Sequence, residues 1–123
     1  MTSEEFVKRI RLVVYDATVE GTVSLLEEPP GRCPSPGLVR LSQWFNRLSP
    51  EDKDYVRGII EMAAGGAVFH MLTVLDGDLA ILTAEEKHGS LELRYNTREQ
   101  SVLLNAPTGE PLHDIFGGLV PPP

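Results

Sequence analysis

From Met62 to Leu75 the chain carries no formal charge, and this stretch lies inside a longer run, Ser49 to Gly77, that opens on a helix-start signal and closes on Asp76-Gly77. Nothing else in the sequence constrains the fold as much, because so long an apolar segment calls for cover from the rest of a small protein. Ser49 is a helix cap, Pro50 suits the first helical position, and Glu51 and Asp52 complement the positive end of the helix dipole. Two readings of the run compete. As one helix from Pro50 to Leu75 it places Val56, Ile59, Ile60, Ala63, Ala67, His70, Met71 and Val74 on a common face, expected to be buried, and Gly77 terminates it. Alternatively Gly65-Gly66 breaks the helix, and Ala67 to Leu75 is a strand paired with Asp78 to Ala84 through an Asp76-Gly77 hairpin. The segment lacks sustained polar alternation, which favours the helix.

The same logic orders the rest of the chain. Residues 3 to 27 read as a first helix, with Phe6, Ile10, Val13, Val14 and Ala17 at steps of three and four and a capping box between Thr2 and Glu5. Gly21, Thr22 and Val23 weaken its end, and Pro29-Pro30-Gly31 stops it. A loop over 29–35 leads to Ser35-Pro36, a second start signal, and to a short amphipathic helix whose Leu38, Leu41, Phe45 and Leu48 share one stripe beside Trp44. After Gly77 the period changes to two. Leu79 and Ile81 suggest a strand; Leu91, Leu93 and Tyr95 alternate with Glu92, Arg94 and Asn96 as a half-exposed strand should; Ser101 to Leu104 makes a third. Turns are expected at Lys87-His88-Gly89 and across Asn96 to Gln100. Pro111 starts a short helix, Leu112 to Phe116, ended by Gly117, and residues 119–123 form an extended tail. The expected architecture is therefore α+β, a single domain over 1–123 in which three N-terminal helices pack on a C-terminal three-stranded antiparallel meander, followed by a short C-terminal helix.

Composition narrows the function classes. The 123 residues are 41% hydrophobic and 24% charged, ordinary values for a soluble domain. The net charge of -7 disfavours attraction to phosphate backbones, so nucleic acid is not an expected partner. The uncharged run is short for a spanning helix, and the acidic start Met1-Thr2-Ser3-Glu4-Glu5 does not resemble a secretory signal. With the single cysteine, Cys33, these features predict a cytoplasmic protein without a membrane segment.

Candidate chemistry is sparse. None of His70, His88 and His113 has a ligand partner at helical spacing, so no metal is expected. His70 falls on the apolar stripe and reads as a core histidine satisfied by a hydrogen bond. His113-Asp114 matches two residues of the metal-dependent phosphohydrolase pattern but lacks its companions, and is expected to face water while Leu112, Ile115 and Phe116 dock the helix. Asp76, Asp78, Glu85 and Glu86 gather at one end of the expected sheet at spacings that fit no calcium loop. Cys33 has Arg32 beside it but no identifiable base, and Gly65-Gly66 lacks the lysine of a phosphate loop. No cofactor is expected.

Several stretches together resemble a small uncharacterised bacterial family, a domain of unknown function: Glu28-Pro29-Pro30-Gly31-Arg32, Leu41-Ser42-Gln43-Trp44-Phe45-Asn46, Leu48-Ser49-Pro50-Glu51-Asp52-Lys53, Val74-Leu75-Asp76-Gly77 and Leu112-His113-Asp114-Ile115-Phe116. That resemblance implies no activity and no catalytic residue. Small size, acidity and missing cofactor motifs point to a noncatalytic interaction module of the immunity or accessory kind, binding another protein or itself as a homodimer. Trp44 with Arg40 and Arg47 is the expected anchor if the indole is exposed. The alternative is a small enzyme or ligand-binding protein with a helix–sheet pocket near His70 or the Asp76 to Asp78 turn.

Overall fold

A computed structural model of the chain describes residues 1–86 and 88–123. Thr2 starts the first helix, α1 (Ser3–Ile10), through the expected capping box: its hydroxyl accepts from the Glu5 N–H at 3.1 Å and its own N–H donates to Glu5 Oε2 at 2.8 Å. The chain then passes through a π-helical segment, Arg11–Asp16, before resuming as α2 (Ala17–Glu27). The wider turn falls where β-branched Val13 and Val14 crowd an α-helix, so the single first helix expected from periodicity is two α-helices with a bulge between them.

Residues 28–35 link α2 to α3 (Pro36–Asn46), and a two-residue step later Ser49 caps α4 (Pro50–Leu75). Ser35 Oγ accepts from the Leu38 N–H at 3.3 Å and Ser49 Oγ from the Asp52 N–H at 3.1 Å, with proline in the first turn of each helix. Asn46 closes the corner. Its amide donates to the Glu27 carbonyl at 3.0 Å and to Ser42 Oγ at 3.2 Å, so α3 satisfies a carbonyl left open at the end of α2.

The competition over residues 67–75 is resolved in favour of helix. α4 runs unbroken through Gly65-Gly66, and Gly77, at φ +81°, takes the left-handed conformation that lets the chain leave it. The expected three-stranded meander, which took this helix as given, is nonetheless not formed. The sheet has two strands, β1 (Arg94–Asn96) and β2 (Ser101–Leu103), paired antiparallel with Tyr95 opposite Val102. No strand forms over Asp78 to Ala84. Ile81 and Leu82 are adjacent apolar residues that break a two-residue period, and the chain folds locally instead, with the Thr83 N–H donating to Glu86 Oε2 at 2.9 Å. Of the expected Lys87-His88-Gly89 turn, Lys87 lies outside the described residues.

The last helix, α5 (Leu112–Leu119), continues past Gly117, where it was expected to end, and its final turn is closed by the Val120 N–H donating to the Phe116 carbonyl at 2.9 Å. Instead of a sheet covering the helices, α5 packs against both α1 and α4. Val7, Leu72, Leu112 and Phe116 meet there as the buried core, ringed by Tyr15, Phe69 and Leu93. Each such fully buried apolar side chain contributes on the order of 2 kcal/mol. Chain-distant ties reinforce the layer: Ser3 Oγ donates to the Leu104 carbonyl at 2.6 Å, linking the first helical turn to the end of the hairpin.

Candidate interaction surface

From Tyr55 onward α4 is largely apolar, but only one side of it is covered. Val68, Phe69, Leu72 and Leu75 turn inward onto the core. Along the opposite side runs a row at four-residue steps, Tyr55, Ile59, Ala63, Ala67 and Met71, all exposed, with Ile59 at 60% and Met71 at 62%. Next to it lies a second row, Gly58, Met62, Gly66 and His70, of which only Gly66 is half-buried. From Tyr55 to Val74 neither row contains a formal charge. The two charges of the helix between Tyr55 and Val74, Arg57 and Glu61, sit off these rows, and Arg57 reaches away to Glu20 on α2. By length and composition alone α4 is also able to cross a membrane.

His70 is therefore not the buried core histidine expected from the stripe; the face it shares is the open one. The amphipathic pattern was legible, but in a helix apolar on both sides periodicity does not say which side the core takes.

A polar cluster forms at the other end of α4. The Asp76 carboxylate, with only 5% of its side chain exposed, accepts from the Leu112 N–H at 3.0 Å and from the His113 N–H at 2.9 Å. These are the first two residues of α5, whose own cap position, Pro111, has no side-chain acceptor. Asp76 thus caps a helix 36 residues away in sequence. His113 Nδ1 lies 2.6 Å from Asp76 Oδ2. Because a carboxylate only accepts, the ring proton is placed at Nδ1. The far nitrogen lies 3.8 Å from Asp78 and 3.4 Å from Asp114. Beneath the ring, Phe69 packs edge-on at 5.4 Å between centroids.

His113, expected in water, is 13% exposed at its side chain and belongs to this cluster. A helix start without its own Ser, Thr, Asp or Asn is the sequence signal that its first N–H groups look for partners elsewhere, in another segment or in water. Asn105 is a second residue that sequence reasoning missed: it donates to the Leu75 carbonyl at 2.6 Å and the Leu91 carbonyl at 2.9 Å, and accepts from the Leu93 N–H at 2.8 Å. The residues of this cluster hold α4, α5 and the hairpin together. Among the described residues, no group of three or more His, Cys, Asp or Glu is arranged to hold a metal ion.

The remaining expected site residues are dispersed. Trp44 is 46% exposed on α3, with Arg40 one helical turn before it and Arg47 at the end of the helix. Asp76 is buried in the cap and Asp78 is exposed nearby. A groove of about 460 Å³ runs along the second of the two α4 rows, between α4, α5 and residues 120–123, lined by Gly58, Met62 and Gly66 together with Tyr15, Phe69 and Phe116; His70, Asp76 and Asp78 do not line it. Partial burial, and then the Glu61 carboxylate nearby, push the Tyr15 hydroxyl above its ordinary pKa.

These features define a mainly helical α+β protein whose core is complete around α5 and whose longest helix is open along one side. Comparison with protein-family models, with curated proteins and with solved structures finds no match to this chain, so likeness transfers no activity to it.

Proposed function

We propose that this chain is a noncatalytic protein-interaction module, of the immunity or accessory kind, whose working surface is the open face of α4. The observation that supports this reading is the charge-free double row from Tyr55 to Met71, since depletion of charge at the centre of an apolar patch is what sets interface cores apart from ordinary surface. Trp44 and Arg40, exposed on α3, are residue types that anchor partners, and an acidic chain of net charge -7 steers basic partners toward it. A cytoplasmic setting goes with this reading, supported by an exposed, unpaired Cys33.

The test is a photo-crosslinking amino acid at position 59 in the native host, with a control probe at the exposed turn residue Arg98. A discrete adduct from position 59 and none from position 98 is the expected result. Equal, diffuse labelling from both positions would remove the case for an interaction face.

A further inference from the structure

We infer that the groove between α4, α5 and residues 120–123 binds a small amphipathic organic cation, an ammonium group carried on an apolar ring-bearing body, with Glu61 as its counter-ion. The site is separate from the interaction reading above, because Tyr55, Ile59, Ala63, Ala67 and Met71 do not line the groove.

The groove is a built cavity with walls from four segments. α4 runs along it, Tyr15 enters from the π-helical segment, Phe116 and Gly117 come from α5, and residues 120–123 close a further side. Its volume of about 460 Å³ falls within the range of small-molecule sites. Two of its rings are fixed in advance, Tyr15 standing edge-on to Phe116 with centroids 6.0 Å apart. Gly65 lets the walls approach the helix: a Cβ there would meet the Tyr15 ring at 3.5 Å and Val120 at 3.9 Å. At Gly58 and Gly66 a Cβ would meet nothing within 4 Å, so the space above them is open to a ligand.

Charge selects the class of ligand. Of the described residues that line the groove, only Glu61 is charged. Arg57 lies outside the lining and donates to Glu61 Oε1 at 3.1 Å, and the same guanidinium also pairs with Glu20. One cation is thus shared between two carboxylates, and a negative charge is left over beside the groove. The Tyr15 hydroxyl feels it, since the Glu61 charge is second only to burial in holding this phenol above its ordinary pKa. An ammonium here meets an anion, a hydroxyl oxygen that can accept, and aromatic rings, which attract cations. A carboxylate in the same place would be set against Glu61. With 44% of its side chain exposed, Glu61 stands at the mouth, while Phe116, 1% exposed, lies at the base. The ligand's head therefore faces water and its apolar body points inward.

Isothermal titration calorimetry of the full chain with phenylbutylamine, phenylbutanol and phenylbutyrate tests the inference, the three probes sharing a body and differing in the head. The amine is expected to bind about fivefold tighter than the alcohol, with the carboxylate weakest. E61Q should abolish the amine's advantage over the alcohol. E51Q, which removes the same charge at the exposed start of α4, should leave that advantage unchanged. G66L puts a side chain into the open space and should weaken amine and alcohol alike by about tenfold or more, with helix content by circular dichroism retained because leucine is the better helix former. Binding of none of the probes, or equal binding of all three, overturns the inference. So does an amine advantage that survives E61Q or is lost equally in E51Q. A lysine blocked at both backbone ends, which offers an ammonium without a ring, also overturns it by binding as tightly as phenylbutylamine, since a basic protein segment would then fit the groove. Crosslinking from position 59 reports on a row outside the groove, so the interaction reading and this site fail separately.

Discussion

The inner and outer sides of α4 are built from similar residues and have opposite fates. On the inner side Leu72 is buried against Val7, Leu112 and Phe116, and every one of these side chains is matched by another from a different helix. On the outer side Ile59, Met62 and Met71 have the same transfer energy to gain and nothing from their own chain to gain it from. The difference teaches that apolarity sets the demand for cover, whereas supply depends on how many faces the rest of the fold can reach. In this chain α5, α2 and the π-helical segment pack against α4, and the row from Tyr55 to Met71 is left uncovered.

The contrast is broken most forcefully by truncating one residue on each side. Phe116→Ala should cost about 3–5 kcal/mol in urea unfolding, because it leaves a cavity at the centre of the cluster formed with Val7, Leu72 and Leu112. Met71→Ala, read on the monomer at low concentration, should stay within about 0.5 kcal/mol of wild type. Comparable losses at the two positions would mean that the outer face is covered within the monomer.

The end of α4 provides the next largest effect. Removing the Asp76 carboxylate by Asp76→Ala strands two backbone donors of α5 and the His113 ring, and a loss of about 2 kcal/mol is expected by the same assay. Asp76→Asn keeps one oxygen acceptor and should recover part of that loss. A full loss in both would assign the stabilisation to charge instead of geometry.

Smallest are the pH effects of the exposed ion pairs. The hydrogen bond from Arg57 holds the Glu20 carboxyl below its ordinary 4.5, and the backbone N–H of Thr2 does the same for Glu5. Stability from both is present above that value and is lost as the pH falls through the lower folded one, so a slight drop in melting temperature below pH 4.5 is expected. Arg57→Ala should flatten the Glu20 part of this drop. Tyr15 behaves in the opposite sense: the folded chain keeps the phenolic proton above pH 10.0, where the unfolded chain begins to lose it, so stability declines as the pH rises past that point. A flat alkaline profile would show that Tyr15 is solvated like any surface phenol.

Helix starts at Thr2, Ser35 and Ser49 were legible, whereas the π-helical break at Arg11–Asp16 and the end of α5 beyond Gly117 were not. Thr2, Ser35 and Ser49 each cap the helix that follows, because a cap needs only its own side chain and the N–H three residues on. The unbroken α4 was legible from its period, despite two adjacent glycines. The third strand failed because a strand exists only if a partner accepts it, and residues 78–84, expected to open the sheet, pair with no strand. The sites followed the same rule. Trp44 and the open row on α4 lie on surfaces that a pattern can suggest, whereas the Asp76–His113 cap joins residues 37 apart whose meeting no local spacing encodes.

The sequence by itself therefore determined which segments are helical, where they start, and that α4 carries an apolar surface larger than a small protein readily hides, since propensity, capping and charge spacing act within a few residues. Only the tertiary structure decided which side of α4 meets the core, that Asp76 starts α5, and that the sheet stops at two strands. Those outcomes depend on long-range pairing, in which elements compete for a limited supply of apolar and hydrogen-bonding partners, and the docking of α5 against α1 and α4 settles that competition.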